Sequence, residues 1–298
     1  MKKLKQRNLS AGKPFSNSSK GSTSETLRNE IVSKPENIKT ISVHNSKHLR
    51  PLSDNQFGFY LAGLIDGDGH FSSKQQLIIV FSSSDVSLAY YIKERLGYGN
   101  IRRIKDKNAY LLIISNKDGL LKVINLINRK LRTLNKYNQV INNILNHSLY
   151  NKENIVFKLN LNNDFNNHHL AGFSDATASF QIKVVNKINR SKPEIRLNFQ
   201  IDHKNNDILL LIKDFFGGNI GYRKSQDTYY YGSTSFGSAR KVINYFDEYQ
   251  LQSNKHINYL KWRKAYILIQ EKNHLNDSLA SIKQIIELKN NLNSFSPE

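Results

Sequence analysis

Apolar and polar positions follow two different periods along the chain, and the switches between them mark out elements. Ser53 and Asp54 precede an apolar stretch from Phe57 to Ile65, with Gln56 at capping-box spacing, which predicts a helix ending among glycines. Strand-like runs follow at about 70–74 and 76–82, with only Gln75 and its neighbours to turn the chain. A helix from about 85 to 96 carries Val86, Ala89, Tyr90 and Ile92 on one side and stops at Gly97. Two further strands near 99–105 and 109–115 precede helices at about 117–131 and 136–147, so the unit reads αββαββα.

The unit occurs twice. Leu61-Ala62-Gly63 returns as Leu170-Ala171-Gly172 at an offset of 109, and Phe71 returns as Phe180. Beyond an insertion of about ten residues within Asn186–Pro193 the offset is 119. There Gly99-Asn100-Ile101 matches Gly218-Asn219-Ile220, Lys122-Val123-Ile124-Asn125 matches Lys241-Val242-Ile243-Asn244, and Asn135-Lys136 matches Asn254-Lys255. Collinear matches of this kind mark a tandem duplication. The expected organisation is a basic tail over residues 1–50, a first repeat over 51–150, an Asn-rich linker over 151–164, and a second repeat over 165–298 that closes with a helix near 278–292.

Charge then narrows the partner. The 298 residues hold 44 Lys and Arg against 24 Asp and Glu, a formal +20, which points to a polyanion. Residues 1–50 supply 11 basic against 3 acidic residues, or +8, leaving +12 for the folded body. With no cysteine, disulfides, thiolate metal sites and cysteine nucleophiles are excluded. No apolar run approaches the roughly 18 residues of a membrane span. There is no phosphate-cradling glycine loop, serine-nucleophile signature or histidine metal spacing.

Leu61-Ala62-Gly63-Leu64-Ile65-Asp66-Gly67-Asp68-Gly69 carries the candidate chemistry. Gly63 and Gly67, four apart, leave one helical face bare, and Gly172 and Ala176 offer the same notch. If the copies pack through these faces, the two helix ends meet and position 68 comes close to its counterpart, Thr177. A carboxylate at the negative end of a helix dipole can hold a hard divalent cation. Asp66 and its counterpart Asp175 point to another face, and a role at the helix end is expected for them. His70 and His203 are expected near this junction; His168 and His169 read as cap or surface residues.

At these nine residues the chain resembles the LAGLIDADG family of homing endonucleases and intron maturases, with one change from the consensus, Gly67 for Ala. The resemblance implies an α+β fold of tandem αββαββα repeats with pseudo-twofold symmetry, whose two antiparallel sheets form a saddle on the DNA major groove. It further implies Mg²⁺-dependent phosphodiester hydrolysis of a long asymmetric duplex by a monomer, with Asp68 as metal ligand and catalytic acid. Lys136 and Lys255 become catalytic charge stabilisers. Copy two departs from the pattern, because Thr177 stands at the catalytic position of the second acid. A nicking or cleavage-dead enzyme, an RNA maturase that stabilises a group I intron, and a deliberate inactivating substitution all accommodate that threonine. Family and residue usage together place the protein in the mitochondrial matrix.

Strand alternation locates the reading face. Ile195, Leu197, Phe199 and Ile201 take one side and Arg196, Asn198 and Gln200 the other, and Gln181 and Lys183 extend the polar side. Arg, Asn and Gln are the side chains that pair with purine edges in a major groove. Ser72, Lys74 and Gln76 form the comparable set in copy one, and Arg102, Arg103, Arg223 and Lys224 lie on the second hairpins. In Tyr229-Tyr230-Tyr231 alternate rings are expected to face the core and the open side.

Overall fold

The computed structural model describes residues 40–188, 192–271 and 279–292. The first helix, α1 (Asp54–Asp68), begins at the expected capping box, with the Ser53 hydroxyl accepting from the Gln56 amide and the Gln56 side chain accepting from the Ser53 amide. It is followed by β1 (His70–Ser72), β2 (Gln76–Ser82), α2 (Val86–Leu96), β3 (Asn100–Arg103), β4 (Ala109–Ile114), α3 (Lys117–Ile127) and α4 (Leu134–Val140). The second copy runs α5 (His169–Thr177), β5 (Ala178–Val185), β6 (Glu194–His203), α6 (Asp207–Phe216), β7 (Asn219–Arg223), β8 (Thr228–Ser233), α7 (Phe236–Glu248) and α8 (Lys255–Gln270). A closing helix, α9, spans Leu279–Asn290.

Each copy folds its strands into one antiparallel sheet, in the orders β1-β2-β4-β3 and β5-β6-β8-β7. One face of each sheet is packed and the other is open. Leu77, Ile79, Phe81, Leu112 and Ile114 are buried from the first sheet, and Phe180, Ile182, Leu197, Phe199, Ile201 and Tyr231 from the second. The ten-residue insertion lengthens the β5–β6 hairpin, where eight residue pairs are in register against three between β1 and β2. In α2 the buried stripe is Leu88, Ala89, Ile92 and Leu96, whereas Tyr90 is 55% exposed; it lies one position off the side on which the sequence placed it.

Two connecting segments are pinned by polar contacts. The linker carries a run of Asx turns, in which the Asn160, Asn162 and Asp164 side chains accept from the amides of residues 162, 164 and 166. Residues 40–50, read from the sequence as part of the tail, form an extended strap against the second copy. Arg263, 1% exposed, donates to Ser42 O, His44 O and Asn45 Oδ1 while pairing with Asp247, and Gln250 and Gln270 bind the strap backbone. The tail reading for residues 1–39 lies outside the described residues.

Candidate nucleic-acid interface and catalytic centre

Helices α1 and α5 meet backbone to backbone. A Cβ placed on Gly63 would overlap the His169 carbonyl oxygen, and one on Gly172 would overlap the Tyr60 carbonyl oxygen. Tyr60 and His169 are themselves equivalent at the offset of 109, so the two contacts are related by a local twofold. One on Gly67 would strike Ala176 and, at 3.1 Å, the Thr177 methyl, which brings the ends of both motifs together as the sequence required.

The same pseudo-symmetry builds a buried polar clamp. Asp66, 0% exposed, accepts from the Arg132 and Thr133 amides at 2.8 and 3.1 Å, from the Thr133 hydroxyl at 2.5 Å, and from His169 Nε2 at 2.8 Å. Asp175 accepts from the Gln252 and Ser253 amides, the Ser253 hydroxyl and, at 2.7 Å, the Tyr60 hydroxyl. The sixth motif residue of each copy therefore grips the loop leading into that copy's last repeat helix, and the residue preceding the motif in the other copy completes the grip. Those loops lead straight into the helices that carry Lys136 and Lys255. His169 is thus neither cap nor surface residue: burial lowers its pKa and the Asp66 hydrogen bond opposes that shift. His168 does stand at the helix N-cap.

Asp68 and Thr177 are the solvent-facing members of the two motifs. Asp68 is exposed at the mouth of a cavity of about 490 Å³ that is also lined by Val80, Asp85, Asp175 and Lys255. Surrounding protein atoms desolvate its carboxylate and raise its pKa, against the pull of Lys255, Lys136 and His203. Both lysines are shifted down by desolvation, with Asp175 the largest opposing charge at Lys255 and Asp66 at Lys136. At the second helix end the chemistry differs. The Thr177 hydroxyl donates to Phe173 O at 2.7 Å, back into its own helix, and Lys255 Nζ donates to Ser174 O at 3.3 Å and Ala176 O at 3.1 Å. One helix terminus presents a carboxylate to two ammonium groups, and the other is capped by an ammonium.

Direct cross-strand partners share a sheet face, which places the reading residues. Gln181 pairs with Asn198, Lys183 with Arg196 and Ser179 with Gln200 on the outward side of the second sheet, but Asn198 is only 6% exposed, covered by its neighbours rather than open as the alternation predicted. Asn198 and Gln200 there form an amide network with Gln181 and Asp202, and Arg223 joins it at 2.6 Å from Asp202 while lying over the Tyr230 ring. Tyr231 is buried and Tyr230 open, as alternation required. Arg196, at 2.7 Å, and Lys187 hold the Glu194 carboxyl down at about 2. Lys224 sits on the hairpin turn that follows β7. In the first sheet Ser72 and Gln76 are paired on the open face. Lys74 is displaced onto the turn between β1 and β2, because β1 ends at Ser72. Arg102 is opposite Leu111 on the open side, but Arg103, one residue on, pairs with Tyr110 on the reverse face.

Comparison with known proteins accounts for this geometry. The LAGLIDADG endonuclease profile matches residues 61–147 and 170–266, one stretch in each repeat. The chain belongs to the LAGLIDADG endonuclease family. It is 61% identical over 296 residues to an uncharacterized cox1 intron-2 37.2 kDa protein of Schizosaccharomyces pombe, spanning 98% of this chain and 88% of the relative. The intron-encoded DNA endonuclease aI3 of Saccharomyces cerevisiae is 28% identical over 282 residues, spanning 76% of this chain and 67% of that protein. The LAGLIDADG meganuclease I-AabMI, solved bound to uncleaved DNA, has the same fold, with a TM-score of 0.61 and 22% identity over 79% of this chain and 99% of its own.

Within this LAGLIDADG chain the donor set fits a hard cation on one side only. Asp68 is exposed, and among the described residues no group donates a hydrogen bond to its carboxylate. Mg²⁺ is commonly held by one or two carboxylates together with water and substrate phosphate oxygens. At Thr177 the hydroxyl is directed into the helix and the terminal carbonyls already serve Lys255. Among the described residues no group of three carboxylate or imidazole side chains forms a protein-only metal cage.

Proposed function

We propose that this chain is an intron-encoded DNA endonuclease that binds a long asymmetric duplex across the open faces of its two sheets and cleaves mainly one strand. The carrying observation is the unequal pair of helix ends: Asp68 offers a carboxylate, whereas Thr177 donates into its own helix and Lys255 caps the carbonyls beside it. Asp68 is the residue that would hold Mg²⁺, and the bound cation supplies a water of lowered pKa and charge neutralisation at the scissile phosphate. Lys136 and Lys255 place two further positive charges about the same point and stabilise phosphate charge. Gln181, Lys183, Arg196, Gln200 and Arg223 in one half, with Asn198 held beneath them, and Ser72, Gln76 and Arg102 in the other, face the grooves, with Lys74 and Lys224 as backbone contacts and Arg103, on the reverse face, left out of the reading set. The S. pombe cox1-intron relative and the residue usage support action in the mitochondrion.

The test is incubation of the purified monomer with supercoiled plasmids carrying a library of insertion sites, with and without Mg²⁺, scored for nicks and breaks on each strand. Nicked circles should accumulate, linear product should be minor, and Thr177→Asp should raise the linear fraction. Clean double-strand breaks by the unaltered protein would refute the assignment. RNA binding as a maturase is the outcome in which a structured group I intron competes for the protein at matched salt while no duplex is cut.

A further inference from the structure

The open faces of the two sheets follow one plan but carry opposite chemistry. His70 lies opposite Ile78, and its repeat counterpart Ser179 lies opposite Gln200, so Ile78 occupies the place of Gln200 and Val80 that of Asp202. At the offset of 119, Leu111 replaces Tyr230 and Ile113 replaces Gly232. Ile78 pairs directly with Ile113 and Val80 with Leu111, so four aliphatic side chains form one contiguous patch at the centre of the first sheet. Val80 is 46% exposed and the other three are partly exposed. Single exposed aliphatics are ordinary, but a cross-strand block of four on an otherwise polar face is a recognition surface.

Its position says what covers it. Arg102 flanks it, opposite Leu111, and Val80 also lines the cavity that holds Asp68 and Lys255. An occupant that continues from a catalytic phosphate past a guanidinium is the duplex itself. In the major groove the feature that an aliphatic side chain complements is the thymine C5 methyl; a G·C pair there would press its O6, N7 and N4 groups against a surface with no partner for them.

Resting on the DNA reading above, we infer that the half-site lying on the first repeat is read through thymine methyls by Ile78, Val80, Leu111 and Ile113, and is therefore T·A-rich where it faces them. The half on the second repeat is read by hydrogen bonds from the Gln181, Arg196, Asn198 and Gln200 face.

The full chain, in EDTA and at fixed salt, is used to select duplexes from a randomised library. Selection with Gln200→Ala relaxes one half and so identifies the half on the second repeat. In the other half thymine should be enriched, and each thymine-to-deoxyuridine replacement, which removes only the methyl, should weaken binding by about fourfold, the factor for burying one methyl-sized group. The same replacement in the second-repeat half should change affinity by less than about twofold. An Ile78→Gln, Val80→Thr protein with unchanged circular dichroism and Tm should lose the uracil effect. Equal uracil effects in both halves, G·C pairs selected opposite the patch, or a variant that keeps the effect would each overturn the inference alone. A library yielding no enriched duplex overturns the DNA reading and this inference with it.

Discussion

Two acids separated by one glycine in α1 should respond to the same substitution in opposite ways. Asp66 takes four hydrogen bonds at zero exposure: Oδ2 accepts from Arg132 N and His169 Nε2, and Oδ1 from Thr133 N and Thr133 Oγ1. An asparagine keeps one acceptor oxygen and gains an NH₂ that faces two donors. With the amide set one way, the Arg132 N–H is stranded and His169 must move its proton to Nδ1, which has no partner. With the amide set the other way, the Thr133 N–H is stranded. A stranded buried donor costs about 1–3 kcal/mol, and the remaining bonds lose their charge assistance. Asp66→Asn should therefore destabilise by about 3 kcal/mol, or roughly 10 °C in Tm for a body of this size. Asp68 has the reverse environment, because surrounding protein atoms desolvate its exposed carboxylate and raise its pKa, and the charge stands at the negative end of α1. Asp68→Asn should leave Tm unchanged or slightly raised and should abolish Mg²⁺-dependent nicking. Differential scanning fluorimetry at pH 7 beside a plasmid nicking assay reads both. Equal falls in Tm for the two variants, or an unchanged Tm for Asp66→Asn, would show that the clamp and the metal ligand have been assigned wrongly.

The helix junction makes a second test: Gly172→Ala drives a methyl into the Tyr60 carbonyl oxygen and should cost about 3 kcal/mol or prevent folding, whereas Gly237→Ala, with nothing within 4 Å, should stabilise α7 by about 0.5 kcal/mol in urea titrations. Acid should unfold the protein early. Burial, then the neighbouring His48, holds His256 down to about 4 from an ordinary 6.5, and burial also lowers His168 and His169. The unfolded chain then binds more protons between about pH 6.5 and 4, so Tm should be level above that window and fall on acidification through it; a Tm independent of pH across it would contradict the burial of these imidazoles.

What the sequence disclosed and what it hid differ in the range of the interaction involved. The glycine notch was legible because close approach demands small residues four apart, and both copies show them. The packed side of the second sheet was legible because apolar residues alternate strictly from Ile195 to Ile201. The clamp was hidden: its donors at 132–133 and 252–253 lie 66–78 residues from the acids they bind. Its cross-copy donors, Tyr60 and His169, are chemically unlike and do not announce themselves as equivalents. The strap at 40–50 was hidden for a similar reason, since it is held by Arg263, Gln250 and Gln270 rather than by an apolar stripe. The faces of Arg102 and Arg103 were not legible, because a strand of four residues leaves its register open by one.

The two repeats agree inside the molecule and diverge at its surface, and the energetics of the two regions explain why activity can be lost without loss of binding. At 63 and 172, or 66 and 175, a change meets a backbone oxygen or strands buried donors, at a cost comparable to a large part of a domain's net stability. At 68 and 177, 78 and 200, or 80 and 202 the side chains face the open side, where substitutions usually alter stability by no more than about 0.5 kcal/mol. The fold therefore constrains the first set and leaves the second free to specialise. On the proposed function, a threonine at 177 offers one cation ligand fewer than the aspartate at 68, yet leaves Lys136, Lys255 and both sheet faces in place. Its effect should fall on the rate of strand cleavage at saturating protein, while the affinity for duplex and its steep salt dependence remain those of a body carrying a large positive charge.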